Sequence, residues 1–522
     1  MPLRPWSRDA VPVATGSEAA AFDRAAVERG VPERSLMESA GRAAADLAMH
    51  LAPEGPVIVV AGAGHNGGDG VVAARTLAAR GRSVRIVAVG ARPDPDPLLH
   101  GWVVPVRRVD DPADWPADAI PGSAALVIDA LLGTGLRGEP RPLQAAAIRA
   151  MVAAAEAGVP VLALDVPSGV VADTGACPGP SVRASATLCF GWPKLGALLE
   201  PGRARAGRVV AAEIGFPPSD DAFGACLLTP AWAARVRPRR DPVTHKNRVG
   251  AVTVVGGGEG MAGAVILAAR AALRSGAGFV RIVSDEANRE VAQTTLPDAP
   301  FVPLDRLDAV DDAIARSGAV VFGPGLGTGE GRETLVERVL AHDRPAVIDA
   351  DALNLLAEGR PFDVESLIAP RAPRLLTPHP GEMARLLGVS VAEVEADRPD
   401  AARRLVARSG ATVVLKGTPS LVASAGRPLG LSSLASSDLA VAGMGDVLAG
   451  SAGAFLAQGA PACDAAGLAL LYGARAAHLT GLGAGLAASD VPEALPRALG
   501  EDAAPHTDLP FPWLTLDLDA PR

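Results

Sequence analysis

The sequence predicts an α/β protein of two domains, a doubly wound sheet in the N-terminal half and a second, mainly parallel sheet in the C-terminal half. Two apolar runs, Pro56 to Ala61 and Ala251 to Val255, each lead into a glycine-rich loop that opens a helical pattern. Strand, glycine loop and helix in that order form the phosphate-cradling unit of doubly wound sheets. Further apolar runs alternate with helical periodicity and end in polar turns, as parallel strands joined by crossover helices do. The chain has 522 residues and is 49% hydrophobic, enough for two large cores.

In the N-terminal half, residues 17–50 carry helical periodicity broken at Gly30-Val31-Pro32. The strand Pro56 to Ala61 follows, then the loop Gly62-Ala63-Gly64-His65-Asn66-Gly67-Gly68-Asp69-Gly70 and a helix that Gly81 ends. A second strand, Ala125 to Asp129, runs into Gly133-Thr134-Gly135-Leu136-Arg137-Gly138-Glu139, and a third, Pro160 to Leu164, ends in Asp165-Val166-Pro167-Ser168-Gly169. Open α/β sheets place their sites at such strand ends. Asp165 reads as an acid/base group, the alternative being a strand-end carboxylate tied to backbone N–H groups. Lys194, in Phe190-Gly191-Trp192-Pro193-Lys194, follows another strand.

A proline- and charge-rich stretch from Phe216 to Pro242 places the domain boundary at residue 220, giving domains of residues 1–220 and 221–522. Ala251 to Val255 then meets the loop Gly256 to Ala264. Strand-like runs end at Gly323-Pro324-Gly325-Leu326-Gly327, at Asp349-Ala350-Asp351, and at Thr377-Pro378-His379-Pro380. His379, between two prolines, suits either a substrate contact or a fixed turn. Asp351 and Asn354 suit magnesium-bound water or a helix cap. The stretch after Pro505 is short and proline-broken, and is expected at the periphery.

Ala442 to Gly450 reads Ala-Gly-Met-Gly-Asp-Val-Leu-Ala-Gly, a glycine turn that opens a helix with Asp446 in its first turn. Free N–H groups and the macrodipole at such a turn favour an anion. A carboxylate beside it can take a hydroxyl proton during phosphoryl transfer, although capping alone also accounts for it. Lys416-Gly417-Thr418-Pro419-Ser420, after the strand Thr412 to Leu415, supplies an ammonium for phosphate. Only three of the 49 basic residues are lysines, Lys194, Lys246 and Lys416, and all fall in or beside candidate motifs.

A net charge of −9 without runs of like charge argues against nucleic acid as a partner. Cys177, Cys189, Cys226 and Cys463 show neither C-x-x-C nor zinc spacing, which suits a reducing compartment. Arg4, Arg8 and Asp9 precede any apolar run, so no signal peptide is expected, and no apolar segment reaches the roughly 18 residues a membrane span needs. A cytoplasmic protein is expected.

The segment Gly-Met-Gly-Asp-Val-Leu-Ala-Gly with Lys416 to Ser420 resembles the ADP-dependent NAD(P)H-hydrate dehydratases of the ribokinase-like fold. Residues 15–215 resemble the NAD(P)H-hydrate epimerase domain, which has a Rossmann-like sheet. The resemblance implies a bifunctional repair enzyme that epimerises R and S hydrates of NADH and NADPH and dehydrates the S hydrate with ADP. It places hydrate contacts at His65, Asn66, Gly67, Gly68, Asp69, Gly133, Thr134, Gly135, Leu136, Arg137, Gly138, Glu139 and Asp165. In the second domain it places them at Ala264, Gly325, His379 and Asp446. Nucleotide contacts fall on Lys416, Gly417, Thr418, Pro419, Ser420 and Gly445, and potassium ligands on Asn66, Asp129 and Ser168. Asp446 and Asp165 are the catalytic residues so implied, with potassium serving the epimerase, magnesium the dehydratase, ADP as co-substrate and a homo-oligomeric assembly. His65 stands where the family has asparagine, and Ala442 where it has glycine. The alternative is a small-metabolite kinase with a non-catalytic N-terminal binding module.

Overall fold

The structure, a computed structural model, describes residues 10–116, 118–217, 223–239, 249–368, 372–434, 436–500 and 507–520. Two compact units divide the chain, one holding residues 11–225 and the stretch from 505, the other holding residues 226–504. Residues 218–222, where the boundary at 220 falls, and Lys246 lie outside the described residues.

In the first unit, strands β1 (Val57–Ala61), β2 (Val84–Val89), β3 (Val106–Val109), β4 (Leu126–Ala130), β5 (Val161–Leu164), β6 (Ala186–Phe190) and β7 (Arg208–Ala212) pair in parallel in the order β7-β6-β5-β4-β1-β2-β3. Strands β1 and β4 are buried throughout, as apolar runs covered by helices on both faces must be. The order reverses at β1, so the crevice at the carboxyl ends of β1 and β4 is the topological switch point. Four helices matter here: α1 (Gly16–Glu28), α2 (Glu33–Leu51), α3 (His65–Ala79) and α4 (Pro142–Glu156). Thr15 and Glu18 form the box that starts α1. Gly41 lets α2 lie against α3, because a side chain there would collide with Val72 and the Asp69 carbonyl.

The second unit contains β8 (Ala225–Leu228), β9 (Ala251–Val255), β10 (Phe279–Ser284), β11 (Phe301–Pro303), β12 (Ala319–Phe322), β13 (Ala346–Ile348), β14 (Arg374–Leu376), β15 (Thr412–Leu415), β16 (Leu421–Ala423) and β17 (Leu429–Ser432). Their order is β8-β17-β16-β15-β14-β13-β12-β9-β10-β11. Pairing is parallel from β11 to β15 and antiparallel through β16 and β17. Helices α5 (Ala262–Arg274), α6 (Asp351–Ala357), α7 (Pro380–Leu387), α8 (Met444–Ala457) and α9 (Ala462–Thr480) include those that position the site. Helix α8 lies in the core against α5, and Gly450 admits the α5 backbone where a side chain would meet the Ala268 carbonyl.

The C-terminal stretch is not peripheral to the second unit. Leu514–Leu518 forms β18, which joins the first sheet antiparallel to β7. Leu514 and Leu516 are buried, and Arg208 donates to both carboxylate oxygens of Asp517, at 2.7 and 2.6 Å. Alternating Leu-Thr-Leu-Asp-Leu carried the signal of a half-buried strand. Among the described residues no helix is long and apolar enough to cross a membrane.

Candidate functional sites

The first cleft opens at the carboxyl ends of β1, β4 and β5, with a volume of about 1000 Å³. The glycine loop is shorter than the sequence suggests: Gly64 caps α3 and the helix begins at His65, so Asn66 to Gly70 fill its first turns. His65, Asn66, Asp69, Gly133 to Glu139, Asp165 and Lys194 all line the cleft. Gly67 and Gly68 are buried behind it and serve close packing, against the Gly62 carbonyl and Met37 respectively. The His65 side chain is 83% exposed and pairs with Glu33 at 3.0 Å.

Asp165 has a left-handed backbone, φ 69°, at the end of β5. A non-glycine residue held there is sterically unusual and marks a constrained site. Its Oδ1 lies 2.5 Å from Lys194 Nζ, which also donates to the Phe190 carbonyl at 2.7 Å. Burial pulls the Lys194 pKa down, but Asp165 together with Cys189 and Asp23 turns the net shift upward. Asp69 is 9% exposed, and its carboxyl is pushed well above the usual range by burial, with Asp165 and Asp23 adding to it and Lys194 opposing.

Asn66, Asp129 and Ser168 gather around the Leu132 peptide. Asn66 Nδ2 donates to the Leu132 and Leu164 carbonyls at 2.8 and 3.2 Å, and the Leu132 N–H donates to Ser168 Oγ at 2.9 Å. Asp129 is fully buried and accepts from Ser168 N at 2.8 Å, Ser168 Oγ at 2.6 Å and Leu131 N at 3.2 Å. Burial raises its pKa to about 6 against the Ser168 and Leu131 hydrogen bonds. Asn66 Oδ1 is buried with no hydrogen-bond partner. A buried orphan acceptor beside a buried carboxylate suits a hard cation held by oxygen alone.

In the second unit Gly443, φ 89°, caps α8 and puts Asp446 in its first turn. Burial raises the Asp446 pKa to about 7, reinforced by Asp349 and Asp351 and opposed by Lys416. Lys416 Nζ lies 2.8 Å from Asp349 Oδ1 and 3.7 Å from Glu382 Oε2. A side chain at Gly445 would approach Lys416 Nζ to 3.3 Å and Asp349 Oδ2 to 3.5 Å, so these groups converge on the α8 N-terminus. His379 caps α7, its Nδ1 accepting from Gly381 N at 3.0 Å and Glu382 N at 3.3 Å. Its side chain remains half exposed, leaving Nε2 toward solvent and Glu382. Ala264 and Gly325 are neighbours, since a side chain on Gly325 would meet the Ala264 methyl.

Lys416, Gly417, Thr418, Ser420 and Gly445 line a separate pocket of about 280 Å³ whose apolar wall includes Leu434, Leu439 and Leu448. Pro419 is not among its lining residues. The buried Arg398 guanidinium donates to the carbonyls of Lys416 at 3.1 Å, Thr418 at 3.3 Å and Pro419 at 3.1 Å, and so fixes the loop. Asp351 accepts from Gly327 N at 2.8 Å, and Asn354 Oδ1 accepts from Arg385 at 3.0 Å. Asp351 thus ties the start of α6 to the loop after β12, and Asn354 ties α6 to α7.

Sequence reasoning missed the roles of Asp349, Glu382 and Arg398. Asp349 stood in a quoted strand-end turn and Glu382 two residues past another, but only the fold brings them to Lys416. Arg398 is one arginine among many and carried no signal.

A crevice around a lysine-clamped aspartate, joined on one chain to a phosphate-type helix start with a high-pKa aspartate, defines a two-site, nucleotide-handling α/β enzyme. A family pattern described as NAD(P)H-hydrate dehydratase matches residues 252–497, and one described as YjeF-related protein N-terminus matches residues 33–196. The bifunctional NAD(P)H-hydrate repair enzyme of Salinibacter ruber is 38% identical over 534 residues, covering 94% of this chain and 96% of the relative. That of Escherichia coli is 36% identical over 453 residues, covering 84% and 83%. A ribokinase-like superfamily protein from Enterococcus faecalis matches in fold, with a TM-score of 0.50 and 24% identity over 55% of this chain and all of its own. The chain belongs to the bifunctional NAD(P)H-hydrate repair enzymes, with an epimerase domain followed by a dehydratase domain.

Proposed function

We propose that Asp446 is the general base of an ADP-dependent dehydration and that Asp165 is an acid/base group of the epimerisation. The observation that carries the first half is the placement of Asp446 at the glycine-capped start of α8, beside Lys416 and with a pKa near 7. A carboxylate of that pKa can accept a proton at neutral pH, an effect of about 10² to 10⁴-fold in rate. Asp446 takes the proton of the hydrate hydroxyl as its oxygen attacks the β-phosphorus of ADP, releasing AMP. The phosphorylated ring then loses phosphate and a proton from the neighbouring carbon, restoring the reduced dinucleotide. Lys416 and the α8 N-terminus hold phosphate, the apolar wall of the adjoining pocket suits a base, and Ala264, Gly325 and His379 are assigned to the hydrate.

The Asn66, Asp129 and Ser168 set fits potassium, because Asn66 Oδ1 is buried without a partner. Potassium there would organise the loops after β1, β4 and β5 and neutralise Asp129. The second site has no comparable cradle: among the described residues no group of three or more His, Cys, Asp or Glu is disposed to hold a metal, and Asp349 is tied to Lys416. Magnesium is therefore assigned to the nucleotide phosphates. We assign the protein to the cytoplasm as a homo-oligomer that acts on NADH and NADPH hydrates.

Incubating the full-length protein with S hydrate, ADP and magnesium tests the dehydration. Reduced dinucleotide, AMP and phosphate in equal amounts are expected. A stable phosphorylated product would replace this reading with a metabolite kinase.

A further inference from the structure

We infer that Asp69 is a second catalytic residue of the epimerisation, a neutral carboxylic acid working opposite the Asp165–Lys194 pair. The inference rests on the epimerase reading of the first cleft and adds a proton-transfer role to a residue that this reading counts only as a substrate contact.

Inversion at a hydroxyl-bearing carbon bonded to the ring nitrogen needs a proton delivered to the departing oxygen and another removed from the arriving one. A single carboxylate clamped by lysine supplies one of these functions. Asp69 lines the same cleft from the first turns of α3, whereas Asp165 enters it from the end of β5, so a ring between them meets carboxyl groups from two elements. The Asp69 side chain is more than nine-tenths buried and, among the described residues, its carboxyl has neither an ion-pair nor a hydrogen-bond partner. A buried carboxyl so placed is costly as an anion and keeps its proton. The charged groups facing it are Asp165, Asp23 and Lys194; the two aspartates raise its pKa further and the lysine lowers it. Asp23 stands on α1 at the mouth of the cleft, exposed.

The step balances without a further reactant. The Asp69 acid gives its proton to the ring hydroxyl, the carbon–oxygen bond breaks with its electrons leaving in water, and the ring nitrogen lone pair forms a carbon–nitrogen double bond. A water molecule then adds to the other face and gives its proton to Asp165. Asp69 ends as carboxylate and Asp165 as acid, which is the arrangement the reverse inversion requires.

The test follows epimer exchange by full-length protein with potassium and without ADP, separating the epimers by chromatography. For Asp69→Asn we expect kcat for exchange to fall about 100-fold or more with KM little changed, while ADP-dependent dehydration of the S epimer stays at its wild-type rate. A rise in KM with kcat within threefold would make Asp69 a binding group and overturn the inference. Should Asp69→Asn fail to fold, Asp23→Asn decides: removing that charge lowers the Asp69 pKa, so the fall of exchange at high pH should begin at lower pH, and an unmoved profile would overturn it. Wild-type exchange in ¹⁸O-water should place one labelled oxygen in each inverted molecule, and inversion without label would overturn the water step. Wild-type protein that exchanges nothing would instead overturn the epimerase reading itself.

Discussion

Both sites set a scarce lysine against a strand-end aspartate, and they differ in which aspartate it takes. In the first unit Lys194 clamps Asp165, itself a candidate for chemistry, at 2.5 Å. In the second Lys416 binds Asp349 at 2.8 Å and leaves Asp446 as the carboxyl whose pKa climbs to about 7. The lysine fixes the Asp165 carboxyl in the first cleft. In the second the lysine is tied to Asp349, and the Asp446 carboxyl is raised by burial and by neighbouring negative charge. On the proposed reading one residue type serves acid/base work in one cleft and anion binding in the other, because its partner is the proposed acid/base group in the first site and a neighbouring carboxylate in the second.

Exchanging the bases should separate the sites most sharply. Asp446→Asn is expected to cut dehydration by about 10² to 10⁴-fold and leave epimer exchange intact, measured on one preparation. Parallel loss of both would dissolve the distinction between the sites.

Breaking the first clamp should affect stability as well as rate. Lys194→Met leaves Asp165 without its partner at the edge of a buried site, and truncating one partner of a buried pair costs about 3–5 kcal/mol, with the low end expected because Asp165 is partly exposed. Chemical denaturation followed by a probe in the first unit measures it. Lys416→Met should weaken nucleotide binding and cost stability too, since it leaves the buried Asp349 carboxylate without its ion pair.

Asp349 sharpens the comparison through pH. Dehydration needs Asp446 deprotonated, so its rate should rise with pH through about 7. Asp349→Asn removes the neighbouring negative charge and frees Lys416 toward Asp446, and both effects lower the Asp446 pKa. The acid limb of the kcat profile should move to lower pH, and a shift upward would show that Asp349 does not act on Asp446.

The smallest expected effect concerns the cation. Replacing potassium by lithium should slow epimer exchange and lower the thermal transition of the first unit, with dehydration unchanged. Ser168→Ala should reduce that sensitivity.

The glycine loops, the strand-end acids and the lysines at 194 and 416 were legible because each is a local pattern with a physical cause. Asp446 was legible in the same way, as a carboxylate one turn into a glycine-capped helix. The pairing of Lys416 with Asp349 was not, since these residues lie 67 positions apart and meet only when β13 and β15 bring their ends together. Asp69 was readable as a loop residue contacting substrate; its burial became visible only with α3 beginning at His65 and α2 packed against it through Gly41. The return of Leu514–Leu518 to the first sheet was hidden for a different reason. Strand alternation tells which face is buried, and nothing in it says which sheet supplies the partner.

The most direct test of two cooperating sites on this chain is to supply purified R hydrate alone, with ADP, magnesium and potassium, and follow the return of reduced-nicotinamide absorbance. Complete recovery is expected, after a lag that Asp165→Asn lengthens without altering the rate on S hydrate. Wild-type protein that consumes S hydrate but leaves R hydrate untouched would contradict it.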